Sequence, residues 1–163
     1  MAQAYPRSAF ADYDYHTESV HAARRLAVDE GVFGRVTFDV AGAGDFPGAE
    51  YDLITYFDCL HDMGDPVGAL RHARSALGPD GIVRLVGPFA ADDVAGNLNP
   101  LGRLFYSAST LICTPASLAQ EVGTALGAQA GEARLRHAAA EAGFTRFRRA
   151  AQTPTNLVLE ARP

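Results

Sequence analysis

Short apolar runs alternate along the chain with segments of helical period, and this pattern predicts strands and helices in succession. A helix capped by Thr17 should follow the first strand and end before Gly31, and another should begin at the Asp65 cap with Pro66 in its first turn. Strands are predicted over residues 8–14, 36–40, 52–58, 82–86, 144–150 and 156–161.

The C-terminal half contains the remaining predicted elements. Residues 97–123 should form two helical pieces with a new start at Thr114-Pro115, and residues 132–142 one further helix closed by Gly143. Only residues 153–155 separate the last two strands, which requires an antiparallel hairpin because a parallel return needs a longer crossover. The nearly continuous apolar run at 52–58 predicts a strand covered on both faces. We therefore expect an α/β fold whose sheet is mostly parallel and ends in an antiparallel hairpin.

Length and composition narrow the classes of function. The 163 residues suit one domain, 1–163, and the net charge of −5, with no lysine at all, argues against nucleic acid as a partner. No apolar run is long enough for a membrane span and no secretory signal is recognisable, which favours a cytoplasmic protein without membrane contact. Cys59 and Cys113 lack zinc-type spacing and should be reduced thiols.

Candidate chemistry lies where predicted strands end, because ligands of such sheets bind beyond the carboxyl ends of the strands. Asp14 ends the first strand, and a carboxylate there can accept hydrogen bonds from two vicinal hydroxyls of a ribose. The alternative is that Asp14 only caps the following helix. The second strand leads into the small-residue loop 41–47, which either lets backbone groups approach a flat ring or forms an ordinary turn.

The densest polar cluster follows the third strand in the segment FDCLHDMGD. His61 could take a proton from a substrate hydroxyl, since an imidazole titrates close to neutral pH. In the alternative, Asp65 caps a helix, Asp58 and Asp62 are solvated, and His61 is a packed loop residue. The His61-Asp62 pair has no second ligand pair behind it, so the sequence predicts no metal site.

Several motifs together carry a resemblance that covers essentially the whole chain. The order DYDYH, VTFDVA, YDLITYFDCLHDMGDP, LGPDGIVRLV, AGFTRF and NLVLEA resembles the class I S-adenosylmethionine-dependent methyltransferases. More narrowly, it is similar to the bacterial group whose catalytic domain normally follows an N-terminal winged-helix domain. The resemblance implies a Rossmann-like sheet and S-adenosylmethionine as cofactor.

The resemblance also implies roles for individual residues. Those implied to contact the cofactor are Asp14 at the ribose, Tyr15, Gly42, Ala43 and Phe46 at the adenine, and Phe57 and Asp58 at the methionine part. His61 would be the catalytic residue and, with Asp62, would face the acceptor.

The family begins with a strand and a glycine-rich loop that have no counterpart in these 163 residues, so we expect an N-terminally truncated chain, lacking the first strand. In the family that strand lies in the sheet between the strands ending at Asp14 and Asp58. Loss of roughly five buried apolar residues costs on the order of 10 kcal/mol, so the chain should be marginally stable unless another chain, as in a homodimer, supplies an edge.

The expected function is methyl transfer to a small-molecule acceptor by in-line displacement, for which the protein mainly supplies alignment and exclusion of water. The acceptor atom is left open among oxygen, nitrogen and carbon, and His61 would act as the base for a hydroxyl. The alternative is a non-catalytic remnant or interaction module that keeps the fold without binding the cofactor. A receiver-like phosphoacceptor domain and a dinucleotide dehydrogenase are disfavoured, because the chain has neither a lysine nor the G-x-G-x-x-G fingerprint.

Overall fold

A computed structural model describes all 163 residues and divides the chain into two compact units, Met1–Pro47 and Gly48–Pro163. The six strands form two separate sheets, one of two strands and one of four. The α/β class and the C-terminal antiparallel hairpin are confirmed. None of the helices combines the length and the apolar composition that crossing a membrane requires.

The first unit is a β-α-β arrangement. Strands β1 (Phe10–Asp14) and β2 (Val36–Val40) pair in parallel, and helix α1 (Thr17–Asp29) connects them. The N-cap of α1 is His16 rather than the expected Thr17, because the His16 ring accepts the Ser19 amide. Gly31 follows the helix with φ of +67°, as predicted for the left-handed residue that ends it.

The second unit contains four strands in the order β3-β4-β6-β5. Strands β3 and β4 are parallel, whereas β6 is antiparallel to both β4 and β5. The strand bounds are Tyr51–Phe57 for β3, Leu77–Pro88 for β4, Arg146–Gln152 for β5 and Asn156–Arg162 for β6.

The helices of the second unit are α2 (Pro66–Ala76), α3 (Pro100–Ala108), α4 (Thr114–Leu118) and α5 (Gly131–Glu141). The predicted start of α2 is confirmed, because the Asp65 carboxylate accepts the Gly68 amide at 2.7 Å and Pro66 occupies the first turn. Leu70 and Ala73 of α2 are fully buried.

The predicted break between two helical pieces takes an unexpected form. Helix α3 continues through a π-helical turn, Ser109–Cys113, directly into α4, so the two pieces are joined rather than separated. Helix α4 ends at Leu118, short of the predicted end at Gly123. A π turn adds a residue to the helical repeat and is frequent at functional sites.

Strand β4 begins at Leu77, earlier than the predicted Ile82, because Leu77 already pairs with Tyr51 of β3. Tyr51 of β3 pairs with Leu77, whereas Leu53, two residues later, pairs with Ile82. The additional residues on β4 form a bulge. A Cβ on Gly81 would lie 2.5 Å from the Tyr51 carbonyl oxygen, so only glycine fits the bulge.

The expectation that residues 52–58 form a strand buried on both faces is wrong. Strand β3 lies at the edge of the four-stranded sheet, and only Tyr56 on it is fully buried. Leu53 and Phe57 point to the other face and are 37% and 55% exposed. An apolar run alone does not separate a central strand from an edge strand, because it does not report which elements cover each face.

Arginines surround one buried carboxylate on the four-stranded sheet. Glu160 on β6 is the register partner of Arg84 on β4 and of Arg148 on β5, and its carboxylate lies 3.2 Å and 3.0 Å from their guanidinium nitrogens. Arg162 adds a third contact at 3.1 Å. Burial favours the neutral acid and would raise the pKa of Glu160, but the three arginines outweigh it and hold the pKa below its ordinary value.

Candidate functional site

Within the first unit, Asp14 lies at the carboxyl end of β1, where the sequence predicted a ligand-binding carboxylate. One carboxylate oxygen accepts the His16 amide at 2.8 Å, so Asp14 supports the start of α1 through the N-cap residue. Asp12, two residues earlier on β1, has a pKa raised by burial and then by the charge of Asp14. Tyr15 is 83% exposed and leaves its ring open to a ligand.

The small-residue loop after β2 lies beside Asp14, because the Ala41 amide donates to the Asp14 carbonyl at 3.2 Å. A Cβ on Gly42 would lie 2.8 Å from the Asp45 carboxylate, so the glycine permits a close approach within the loop. Ala43 is half-buried. Phe46 is buried and stacks on the Tyr13 ring with centroids 5.3 Å apart, which anchors the loop to β1.

In the second unit, the chain turns sharply at the end of β3. Phe57 is exposed, and Asp58 adopts a left-handed backbone with φ of +48° while its amide donates to the Val86 carbonyl. This conformation is uncommon for a residue with a side chain, although aspartate tolerates it better than most, and such residues concentrate at functional sites. Asp58 thus starts the short 3₁₀ turn Leu60–Asp62 that carries the predicted base.

His61 is buried, with 8% of its surface exposed, which agrees with the alternative of a packed loop residue and leaves the role of a base as a prediction. Its Nε2 lies 3.2 Å from Oδ1 of Asp62, within ion-pair distance. The angle does not make a hydrogen bond, so Asp62 Oδ1 is buried without a hydrogen-bond partner. Such an oxygen is costly to leave unsatisfied, which makes it a candidate ligand atom for a cation.

Side chains and backbone from the segment after the π turn form hydrogen bonds with the backbone of residues 61–64, and we call these contacts the clasp. The Gln120 side chain donates to the Asp62 carbonyl and accepts the Gly64 amide, at 2.9 Å and 2.8 Å. The Ser117 hydroxyl donates to the Met63 carbonyl at 2.7 Å. Because a 3₁₀ turn has few hydrogen bonds of its own, these contacts fix where His61 lies.

Cys113 is the residue at this site that the sequence did not single out. The π turn places its thiol next to His61 and Asp62, and the three potential ligand atoms all lie within 4.8 Å of one another. Burial, and then the neighbouring Asp62 carboxylate, raise the pKa of the Cys113 thiol to about 11. Neither cysteine forms a disulfide, as expected. No spacing signal links Cys113 to His61, because the contact depends on tertiary folding.

The cavity beside His61 is small. Its volume is about 20 Å³, and its lining includes Tyr56, Leu60, Leu85 and Leu159. That volume holds about one water molecule, which is far less than an aromatic acceptor needs. The His61 cavity is therefore part of the packing around this side chain.

The continuous helical segment from Pro100 to Leu118 exposes much apolar surface. Leu104, Leu111, Ile112 and Leu118 are all more than half exposed, so this segment is not a packed core.

Comparison with known proteins identifies the family. A sequence profile described as a methyltransferase domain matches residues 1–83, just over half of the chain, and so includes both Asp14 and His61. Among curated proteins no sequence match was found.

Solved structures share the fold at low sequence identity. PigF with S-adenosylhomocysteine superposes with a TM-score of 0.74 at 21% identity, over 99% of this chain and 45% of PigF. An O-methyltransferase family protein from Burkholderia thailandensis gives 0.74 at 20% identity, over 99% of this chain and 46% of that protein. The third structure is NcsB1, an O-methyltransferase from neocarzinostatin biosynthesis, in complex with S-adenosylhomocysteine and 1,4-dihydroxy-2-naphthoic acid. It superposes with a TM-score of 0.71 at 22% identity, over 98% of this chain and 43% of NcsB1.

The chain thus spans less than half the length of these three proteins. Because the profile matches more than half of the chain and the fold agrees with it, this chain belongs to the methyltransferase domain family.

Proposed function

We propose that the protein transfers a methyl group from S-adenosylmethionine to a hydroxyl group of a small-molecule acceptor. The observation that carries the proposal is the family match across residues 1–83, which contains the strand-end acid Asp14 and the FDCLHDMGDP segment. The structural relatives named O-methyltransferases favour oxygen over nitrogen or carbon as the methylated atom. Cytoplasmic location and a homodimer stay predictions.

The ribose and adenine of the cofactor are assigned to residues of the first unit. One carboxylate oxygen of Asp14 accepts a hydrogen bond from the His16 amide. The remaining acceptor positions of the carboxylate suit the two vicinal hydroxyls of a ribose. The exposed Tyr15 ring next to it suits one face of the adenine, and the close-packed loop at Gly42 and Ala43 suits its edge. Phe46 would contribute mainly by holding this loop against Tyr13.

In the second unit, Phe57 and Asp58 are proposed to border the methionine part, for which an exposed ring and an exposed carboxylate at a strand end are suitable. A carboxylate there can accept from the amino group of the methionine part. S-adenosylmethionine supplies a methyl group on a positively charged sulfur, so the protein needs to align the acceptor oxygen and to remove its proton.

His61 is proposed to accept that proton. Asp62 Oδ1 lies beside Nε2, and a carboxylate at that position favours a proton on Nε2, which leaves Nδ1 as the basic nitrogen. The clasp by Gln120 and Ser117 holds the turn in place and fixes the direction in which Nδ1 can accept. Positioning of a base in this way contributes typically about 10²–10⁴-fold to a rate.

Calorimetric titration with S-adenosylhomocysteine tests cofactor binding. We expect micromolar binding that weakens by about tenfold or more in Asp14→Ala, because hydrogen bonds to a charged group each contribute roughly 1.5–3 kcal/mol. Asp39→Ala is the control, since Asp39 lies on the neighbouring strand and pairs with Arg24. Absence of binding would support the non-catalytic alternative, and equal binding by Asp14→Ala would contradict the role assigned to Asp14.

A second experiment tests the base. The full protein is assayed with 1,4-dihydroxy-2-naphthoic acid, the acceptor bound by NcsB1, as a trial substrate. His61→Ala should lower kcat by about 10²-fold or more while leaving S-adenosylhomocysteine affinity intact, and His21→Ala, at an exposed position on α1, should be unaffected. Turnover retained by His61→Ala would remove the assigned role.

A further inference from the structure

A cluster of three different ligand types lies at the end of the 3₁₀ turn that follows β3. His61 contributes an imidazole, Asp62 a carboxylate and Cys113 a thiol, and all three potential ligand atoms lie within 4.8 Å of one another. His61 and Cys113 are both more than nine-tenths buried. No metal site was predicted here from the sequence, because the third ligand comes from the distant π turn.

The spacing of the three atoms is close to that of a tetrahedral site. Ligand atoms bonded to Zn²⁺ at about 2.0–2.3 Å stand about 3.3–3.6 Å from one another in a tetrahedron. His61 Nε2 and Asp62 Oδ1 are already 3.2 Å apart. The remaining pairs lie within 4.8 Å and need to close by at most about 1.5 Å to reach tetrahedral spacing.

An independent observation also points to a cation. Asp62 Oδ1 is buried and has no hydrogen-bond partner, although its neighbour Nε2 lies at ion-pair distance. A buried carboxylate oxygen left without a donor costs free energy, and a metal ion between it and the imidazole would remove that cost.

We propose that His61 Nε2, a carboxylate oxygen of Asp62 and Cys113 Sγ bind one divalent cation of the Zn²⁺ type. Imidazole and thiolate together select Zn²⁺ and its neighbours over Mg²⁺ or Ca²⁺, which prefer oxygen ligands alone. Binding forms the sulfur–metal bond as the thiol proton leaves to solvent. Three protein ligands leave a fourth position for water.

Metal binding has a consequence that rests on the proposed function. An imidazole that holds a metal through Nε2 carries its remaining proton on Nδ1, so that nitrogen can no longer accept one. Zn²⁺ would therefore inhibit methyl transfer, and a chelator would restore it. The binding itself does not depend on the activity.

Titration of the reduced chain with Co²⁺, a spectroscopic substitute for Zn²⁺, tests the site. We expect one equivalent to produce intense visible d–d bands of a tetrahedral ion and a near-ultraviolet thiolate-to-metal band, and Zn²⁺ to bleach both. Cys113→Ala should remove the thiolate band and weaken binding by more than about tenfold, whereas Cys59→Ala should keep the full spectrum, since Cys59 lies outside the cluster.

The controls separate metal binding from misfolding and from catalysis. Far-ultraviolet circular dichroism of each variant shows whether it folds, and His61→Gln provides a second ligand variant that should also weaken Co²⁺ binding. No tetrahedral spectrum in the parent chain overturns the proposal, as does a thiolate band that survives in Cys113→Ala or disappears in Cys59→Ala. Loss of S-adenosylhomocysteine binding with an intact Co²⁺ spectrum would count against the proposed function alone.

Discussion

Ser117 makes a sharply testable contribution to the clasp on the His61 turn. Its side chain is fully buried, and its hydroxyl donates to the Met63 carbonyl at 2.7 Å while accepting the Ala125 amide at 2.9 Å. Ser117→Ala removes one oxygen atom and leaves a carbonyl and an amide without their partner.

Each buried polar group that loses its partner costs roughly 1–3 kcal/mol, so we expect Ser117→Ala to lower the free energy of unfolding by about 2–4 kcal/mol. That is a large part of the roughly 5–15 kcal/mol that stabilises a typical domain. With a urea slope of about 2 kcal/mol per molar, the midpoint should fall by about 1–2 M.

The assay is urea unfolding followed by circular dichroism, with Ser107→Ala as the matched control. Ser107 is exposed, and its hydroxyl donates within α3 to the Arg103 carbonyl at 2.9 Å, so its removal should cost less than about 0.5 kcal/mol. Hydrogen exchange should also speed up at the Ala125 amide. If the two variants unfold at the same urea concentration, the clasp does not hold the turn as described.

The remaining predictions concern packing and pH. The arginine partners hold the pKa of Glu160 below the ordinary 4.5, so the stabilisation that this carboxylate contributes is complete above that value and is lost as pH falls below it. Glu160→Gln should therefore unfold more easily at pH 7, and its free energy of unfolding should depend less on pH in acid. An unchanged pH dependence in acid would contradict this. Gly102→Ala should cost about 1–3 kcal/mol in thermal unfolding because its Cβ would overlap the Asn97 carbonyl, whereas Gly34→Ala, with open space around it, should be close to neutral; equal costs would refute the packing argument. Tyr56→Phe should cost about 0.5–1.5 kcal/mol by the same measurement, since the buried hydroxyl donates to the Ala69 carbonyl at 3.1 Å, and no change would show that this bond is dispensable.

Features set by neighbouring residues could be predicted from the sequence. The Asp65 cap, the proline after it and the left-handed Gly31 depend on a few adjacent residues, and the structure has them as expected. The C-terminal hairpin was equally accessible, because a three-residue connection permits only one pairing. The N-cap at His16 was missed because a ring nitrogen took the role usually filled by a hydroxyl or carboxylate.

Features set by distant residues could not be predicted in this way. The exposure of Phe57 depends on which elements cover β3, and the apolar run that contains it is the same for a central or an edge strand. The contact of Cys113 with Asp62 depends on the extra residue of a π turn, which shifts the direction of every following side chain in the helix. A regular α-helix with the same residues would present a different side chain at that place.

The π turn therefore links the two proposed properties of the turn after β3. It brings Cys113 to His61 and Asp62, and it leads directly into the helix that carries Ser117. A variant that restores a regular helix there would displace the thiol and the clasp together, whereas Cys113→Ala removes only the thiol. If metal binding needs the thiol but methyl transfer does not, Cys113→Ala should abolish zinc inhibition while leaving turnover unchanged. Ser117→Ala should lower both turnover and Co²⁺ affinity, because it loosens the turn on which both depend.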